Sequence, residues 1–224
     1  KAIADELREY GFPEEKIAQI PNGVDTDQFR PVASSEEREL LRAQRGWRNV
    51  PTILFVGGLV RRKRPHLLVE AMGLLKQQGH DCQLVLAGPE HEPEYSAELR
   101  RRIESLGLSD RVVFEGFTAD VSPLYRASDI FSLPSANEGM PNAVLEAMAS
   151  GLPTVVTAIS GTIDLVRHGG TGQLVEADTQ AITEAIRIYL DQPGLSLQHG
   201  QAGRQVIEEH FSAAAVLKLH QKLF

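Results

Sequence analysis

From Pro51 to Val175 the chain alternates short apolar runs with longer segments whose apolar residues recur every three or four positions. The runs at 52–56, 83–87, 111–115, 129–133, 154–157 and 172–175 are rich in β-branched and bulky apolar residues. That is the pattern of strands buried on both faces of a parallel sheet. The segments 65–78, 93–106, 121–127, 141–150 and 162–167 carry the helical period. Glycine or proline punctuates most joints, as at Gly79, Gly88-Pro89, Gly107, Gly151-Leu152-Pro153 and Gly169-Gly170. Repeated βα units of this size predict an α/β fold, a doubly wound parallel sheet of about six strands with helices on both faces. The tail differs: 180–190, 195–210 and 213–224 read as consecutive helices, lying on the sheet's flank or reaching back toward whatever precedes Lys1. The head reads as an amphipathic stretch, residues 3–10, then a short strand, 16–21, entering a turn at Asn22-Gly23-Val24-Asp25. No repeat, low-complexity tract or linker divides residues 1–224, which read as one domain.

Composition narrows the function classes. With 224 residues, 42% apolar and 24% charged, the chain can bury a full core without disulfides or structural metal. A net charge of −7, from 23 basic and 30 acidic residues, excludes an extended nucleic-acid surface. No stretch approaches the roughly 20 apolar residues of a membrane span, and no signal peptide opens the chain. The single cysteine, Cys82, excludes an internal disulfide framework and a multi-cysteine zinc site, reads as a packed strand thiol, and points to a reducing, cytoplasmic setting. The chain opens on Lys1 with no strand before its first amphipathic stretch, which reads as a fragment or a processed chain.

In doubly wound sheets, ligands bind beyond the carboxyl ends of the strands, near the switch in strand order. Two loops there carry chemistry. Gly57-Gly58-Leu59-Val60-Arg61-Arg62-Lys63-Arg64-Pro65 combines a glycine pair with four basic residues ahead of a helix. It lacks the spacing of a P-loop and the third glycine of a dinucleotide fingerprint. It reads either as a solvated basic turn or as a phosphate site at a helix start. Residues 135–148 read Ser-Ala-Asn-Glu-Gly-Met-Pro-Asn-Ala-Val-Leu-Glu-Ala-Met. Pro141 suits the first helical turn and leaves the N–H groups of Asn142 and Ala143 unpaired toward the ligand edge. Glu138 and Glu146 lie eight residues apart, and both could face one cleft if the segment were wound throughout. Each alone also reads as an ordinary surface or helix-face acid; together, around backbone donors, they suit a ligand bearing hydroxyls and phosphate.

Here a resemblance enters. Glu138-x7-Glu146, within EGMPNAVLEAMASGLPTVVT, resembles the E-x7-E element of family-four GT-B glycosyltransferases. Further segments match in order: Ile20 to Asp25, Phe55 to Lys63, Leu86-Ala87-Gly88, Phe114 to Phe117, and Ser160-Gly161-Thr162 through Gly172. The resemblance covers nearly the whole chain. It implies a Rossmann-like donor-binding domain, the C-terminal half of a GT-B fold, whose N-terminal acceptor domain is absent. By the same resemblance Glu146 binds ribose hydroxyls and Glu138 the donor sugar. The backbone of Gly139, Met140, Pro141, Asn142 and Ala143 holds sugar and distal phosphate. Lys63 neutralises the leaving diphosphate, which with Glu138 makes it a catalytic residue, and Phe117 and Thr118 read the base edge. Where many members carry an arginine this chain has Gly58; Arg62, ahead of Arg61, is the expected substitute, the alternative being a clamp that rests on Lys63 alone. The implied reaction is retaining transfer from a nucleotide diphosphate sugar, UDP ahead of GDP, to a carbohydrate, lipid or small-molecule acceptor. The chain alone is expected to bind nucleotide without transferring sugar.

No cofactor and no metal are expected. Asp25-Thr26-Asp27 has a D-x-D form but lies in a turn, and the seven histidines lack ligand spacing, His168 reading as an exposed helix-end residue. A dehydrogenase on this topology would need an acidic residue ending the second strand, which here ends Leu86-Ala87-Gly88-Pro89. The alternatives that stay open are a nucleotide-sugar epimerase or synthase on the same scaffold and a non-catalytic nucleotide-sugar-binding module. For a full-length enzyme, peripheral association is the membrane role left open.

Overall fold

A computed structural model of the chain describes residues 7–221. Six strands form one parallel sheet: β1 (Thr52–Val56), β2 (Gln83–Ala87), β3 (Val112–Gly116), β4 (Ile130–Leu133), β5 (Thr154–Thr157) and β6 (Gly172–Val175). Their spatial order is β3-β2-β1-β4-β5-β6, so the chain reverses its direction of winding between β1 and β4. This is the Rossmann-like arrangement, and the crevice at that switch is where the loops after β1 and β4 meet.

The connecting helices are α1 (Ser35–Gln44), α2 (Pro65–Gln77), α3 (Pro93–Ser105), α4 (Ser122–Ala127), α5 (Asn142–Ala149) and α6 (Ser160–Ile163). The tail adds α7 (Thr179–Asp191), α8 (Pro193–Val206) and α9 (Ala213–Gln221). One layer packs α2 against α3 and α7, the other α1 against α4 and α5 against α4 and α8. Helix α2 shows why: Leu68, Ala71, Met72 and Leu75 fall at i, i+3, i+4 and i+7 and are all buried. Each large side chain so enclosed contributes about 1.5–3 kcal/mol. Cys82 lies buried just ahead of β2, its thiol 3.9 Å from the Met72 sulfur, and burial pushes its pKa up to about 11.

Two expectations need correction, and one element is not foreseen. Residues 16–21 form no strand: the turn Glu14–Lys16 is followed by irregular backbone, and Val24 alone bridges Ser212. Helix α6 starts at Ser160 and ends at Ile163, because the Thr162 hydroxyl bonds back to the carbonyls of Thr157 and Ile159 and closes a tight turn. Helix α1 falls outside the apolar pattern. Its start is marked instead by Ser34, whose hydroxyl accepts the Glu37 N–H at 3.3 Å. The head stretch 3–10 and the last helix are described only in part, residues 1–6 and 222–224 lying outside the described range. Between α8 and α9, Ile207–Phe211 forms a widened π turn that offers the Phe211 carbonyl to the N–H of Val24 at 2.9 Å.

Candidate functional site

The loop after β1 turns at Gly57, whose φ of +152° favours glycine, then tightens into a 3₁₀ turn over Arg61–Lys63. Arg64 closes that turn at a φ of +51°. The turn folds Lys63 back over Gly57: a Cβ there would lie 3.1 Å from the Lys63 Nζ. The same Nζ donates to Glu138 Oε1 at 3.0 Å, and both side chains are largely enclosed, at 17% and 12% exposure. The Ser135 hydroxyl donates to the same oxygen at 2.8 Å, and an Arg62 Nη lies 3.6 Å from Oε2. Burial pushes the Glu138 carboxyl up, but the hydrogen bonds from Lys63 and Ser135 and the charges of Lys63 and Arg62 outweigh it. The result is a pKa below the ordinary carboxylate value. Arg62 also donates to the Asn137 carbonyl, and its own carbonyl accepts the Ala136 N–H, so the two loops are stitched together.

Pro141 stands just outside α5 in extended conformation, and the helix begins at Asn142, one residue later than expected. Among the described residues no hydrogen bond takes up the N–H groups of Asn142 and Ala143, which open at the ligand edge. Behind this mouth, Gly161 approaches the loop so closely that a Cβ would meet the Glu138 carbonyl oxygen at 2.3 Å. Asn22 closes its other side, donating to Asn142 Oδ1 at 2.8 Å and meeting the Met140 carbonyl and sulfur.

Because the helix starts after Pro141, the segment is not wound throughout: Glu138 stands in the loop ahead of α5 and Glu146 within the helix. Glu146, in the second turn of α5, lines a cleft of about 200 Å³ with Asp25, Gln28, Phe29 and Asn142; Lys63 and Glu138 are not among its walls. Its Oε2 accepts from the Tyr125 hydroxyl at 2.7 Å, and burial pushes its pKa above the ordinary value. Asp25 accepts from the N–H groups of Asp27 and Gln28, the geometry of a turn. Gln28 in turn donates to Asp120 at 3.3 Å, tying this cleft to the loop after β3.

Comparison with known proteins decides the family. The model of the glycosyl transferases group 1 family matches residues 37–206. The chain belongs to that family. It is 35% identical over 170 residues to the mannosylfructose-phosphate synthase of Agrobacterium fabrum, covering 73% of this chain and 37% of that protein. It is 32% identical over 202 residues to the GDP-mannose-dependent α-(1-6)-phosphatidylinositol monomannoside mannosyltransferase of Mycolicibacterium smegmatis, covering 86% and 52%. The crystal structure of Anabaena HepE in complex with UDP superposes with a TM-score of 0.88 at 26% identity, covering 98% of this chain and 59% of that one. The chain thus spans well under two thirds of these relatives.

Within this group 1 glycosyltransferase domain, Lys63, Arg62, Glu138 and the backbone from Gly139 to Ala143 gather around the start of α5. Glu146 stands on its Tyr125 side. Phe117, 77% exposed, and Thr118, bonded to the Asp120 carbonyl, stand at the end of β3 on the Glu146 side. Arg61 turns away from the mouth: it pairs with Glu98 at 2.6 Å and stacks 5.0 Å over the Tyr95 ring. The space in front of Gly58 is filled by His91, whose ring carbon a Cβ at 58 would meet at 2.9 Å. Tyr125, Ser135 and His91 are not among the residues the sequence singles out. Tyr125 and His91 arrive from other βα units, and only Ser135, three residues before Glu138, carried a local signal.

Proposed function

We propose that the chain is the donor-binding half of a retaining glycosyltransferase that takes the sugar of a nucleoside diphosphate sugar. The observation that carries the reading is the enclosed Lys63–Glu138 pair at the start of α5. Each partner satisfies the other's charge, and a sugar diphosphate offers both a better exchange: phosphate oxygens for the ammonium, hydroxyl donors for the carboxylate. The open N–H groups of Asn142 and Ala143 add to the positive field where the leaving diphosphate gathers charge.

The separation of Glu138 from Glu146 suits such a donor, whose two hydroxyl-bearing ends lie on either side of the diphosphate. Glu138 takes the sugar and Glu146 the ribose, with the backbone at Phe117 and Thr118 at the base edge. The link from Gln28 to Asp120 supports the neighbouring base and ribose positions. Arg62, held beside Glu138, is the second cation for the diphosphate. The acceptor, a carbohydrate, lipid or small molecule, attacks from the face the diphosphate leaves and is carried by a further domain. The UDP complex of HepE supports a uridine donor, ahead of the guanosine donor named for the mycobacterial relative.

Thermal shift and calorimetry with UDP, GDP, ADP and their sugar conjugates test the reading. UDP and its conjugates are expected to raise the melting temperature most, and no response to any nucleotide would refute it. Sugar transfer by the chain alone would refute the half-enzyme assignment.

A further inference from the structure

The Tyr125 ring is fully enclosed, edge-on to Phe29 at 5.8 Å and tilted against Phe131 at 5.8 Å. Phenylalanine would fill that space equally well, so packing does not explain the hydroxyl. The hydroxyl has one proton and two acceptors in reach, Glu146 Oε2 at 2.7 Å and the Ala143 carbonyl at 3.2 Å. Both belong to α5, one in its first turn and one in its second. With Oε2 engaged, no hydrogen bond among the described residues ends on Glu146 Oε1, and Glu146 lines the cleft.

We propose that Tyr125 is a positioning residue for donor binding: its hydroxyl locks the Glu146 carboxylate so that the second oxygen is presented to the ribose diol. The proposal rests on the reading of Glu146 as the ribose ligand. A glutamate held before binding loses less side-chain freedom when the nucleotide arrives, which is the gain of a preorganised site. The phenol also opposes the cost of keeping a buried carboxylate ionised, because its hydrogen bond favours the charged form. The other charged groups around the cleft are already engaged. Asp25, on the facing loop, accepts from two backbone N–H groups. Arg204, from α8 behind α5, is spent on the carbonyls of Thr26, Phe29 and Ala149 and on Glu208.

The test titrates UDP, GDP and their 2′,3′-dideoxy forms into the wild-type chain, Tyr125→Phe and Glu146→Asp by calorimetry from pH 5.5 to 8.5, with melting curves in parallel. The wild type is expected to prefer the ribose form of whichever nucleotide binds by roughly tenfold or more at pH 8, the worth of a hydrogen bond to a charged group. Tyr125→Phe should lose most of that preference while binding the dideoxy form within about twofold of wild type. The pH below which the ribose form weakens should rise in Tyr125→Phe, because the variant's carboxylate loses the hydrogen bond that favours its charged form and protonates earlier on acidification. Glu146→Asp, one methylene short of the phenol, should lose the same preference with Tyr125 untouched, which keeps the test open if Tyr125→Phe does not fold. A Tyr125→Phe protein that weakens both nucleotide forms equally, or neither, would overturn the proposal and leave Glu146 as the ribose ligand. A wild type indifferent to the ribose hydroxyls would overturn both.

Discussion

Lys63 and Glu138 meet in a pocket where neither keeps much water, so removing one leaves the other's charge poorly compensated. Lys63→Ala is therefore expected to weaken UDP binding by about 2–3 kcal/mol, roughly 30- to 150-fold. Arg64→Ala, at a position defined by its backbone turn, should cost less than about threefold. Equal small losses by calorimetry would remove Lys63 from the phosphate site. Glu146 makes the opposite kind of prediction. Its pKa in the folded chain is raised by burial, so the folded state holds that proton to higher pH than the unfolded state. The destabilisation is absent in acid, grows as pH rises through the window between the two values, and is complete above it. Glu146→Gln should thus melt higher than wild type at pH 8, with the difference shrinking toward pH 4, while nucleotide binding falls. A difference independent of pH would show that the carboxylate carries no such cost.

At the scale of elements, α1 is held by polar contacts more than by an apolar stripe, since Leu40 is 59% exposed. Arg42 is buried and reaches the Ala127 carbonyl, Asn49 and Asp129, while Asp129 also accepts the N–H of Thr52 at the start of β1. Arg42→Met should cost about 2–4 kcal/mol in urea unfolding, because it leaves a carbonyl and a carboxylate short of a donor. This difference in attachment explains what the sequence reveals. The strands are legible because their apolar runs are nearly continuous, buried on both faces in β1, β2, β4 and β5 and part-buried in the edge strands β3 and β6, and four of the six match in both bounds. Helix α1 is not, because its partners are charged groups up to 87 residues away. The same holds at the site. Lys63, Glu138 and Glu146 stand in local motifs, whereas the Tyr125–Glu146 bond and the His91 ring over Gly58 are products of the sheet's winding.

For the molecule as a whole, the tail helices are fitted onto the sheet layer through backbone contact. A Cβ on Gly200 of α8 would meet the Gly151 carbonyl oxygen at 2.1 Å, while one on Gly194 in the same helix would meet nothing within 4 Å. Gly200→Ala should destabilise the chain by about 2–3 kcal/mol. Gly194→Ala should be neutral or stabilise by up to about 1 kcal/mol. Melting curves showing the two variants alike would mean that α8 can slide to relieve the contact.

The short segment 22–24 is gripped on two sides. Asn22 holds Met140 and Asn142, and Val24 exchanges backbone hydrogen bonds with Phe211 and Ala213. Backbone arriving ahead of Asn22 is therefore geared to two distant parts at once. A tug along it would reach the start of α5 and the base of the last helix together, making one mechanical train of the incoming segment, the mouth of α5 and the tail.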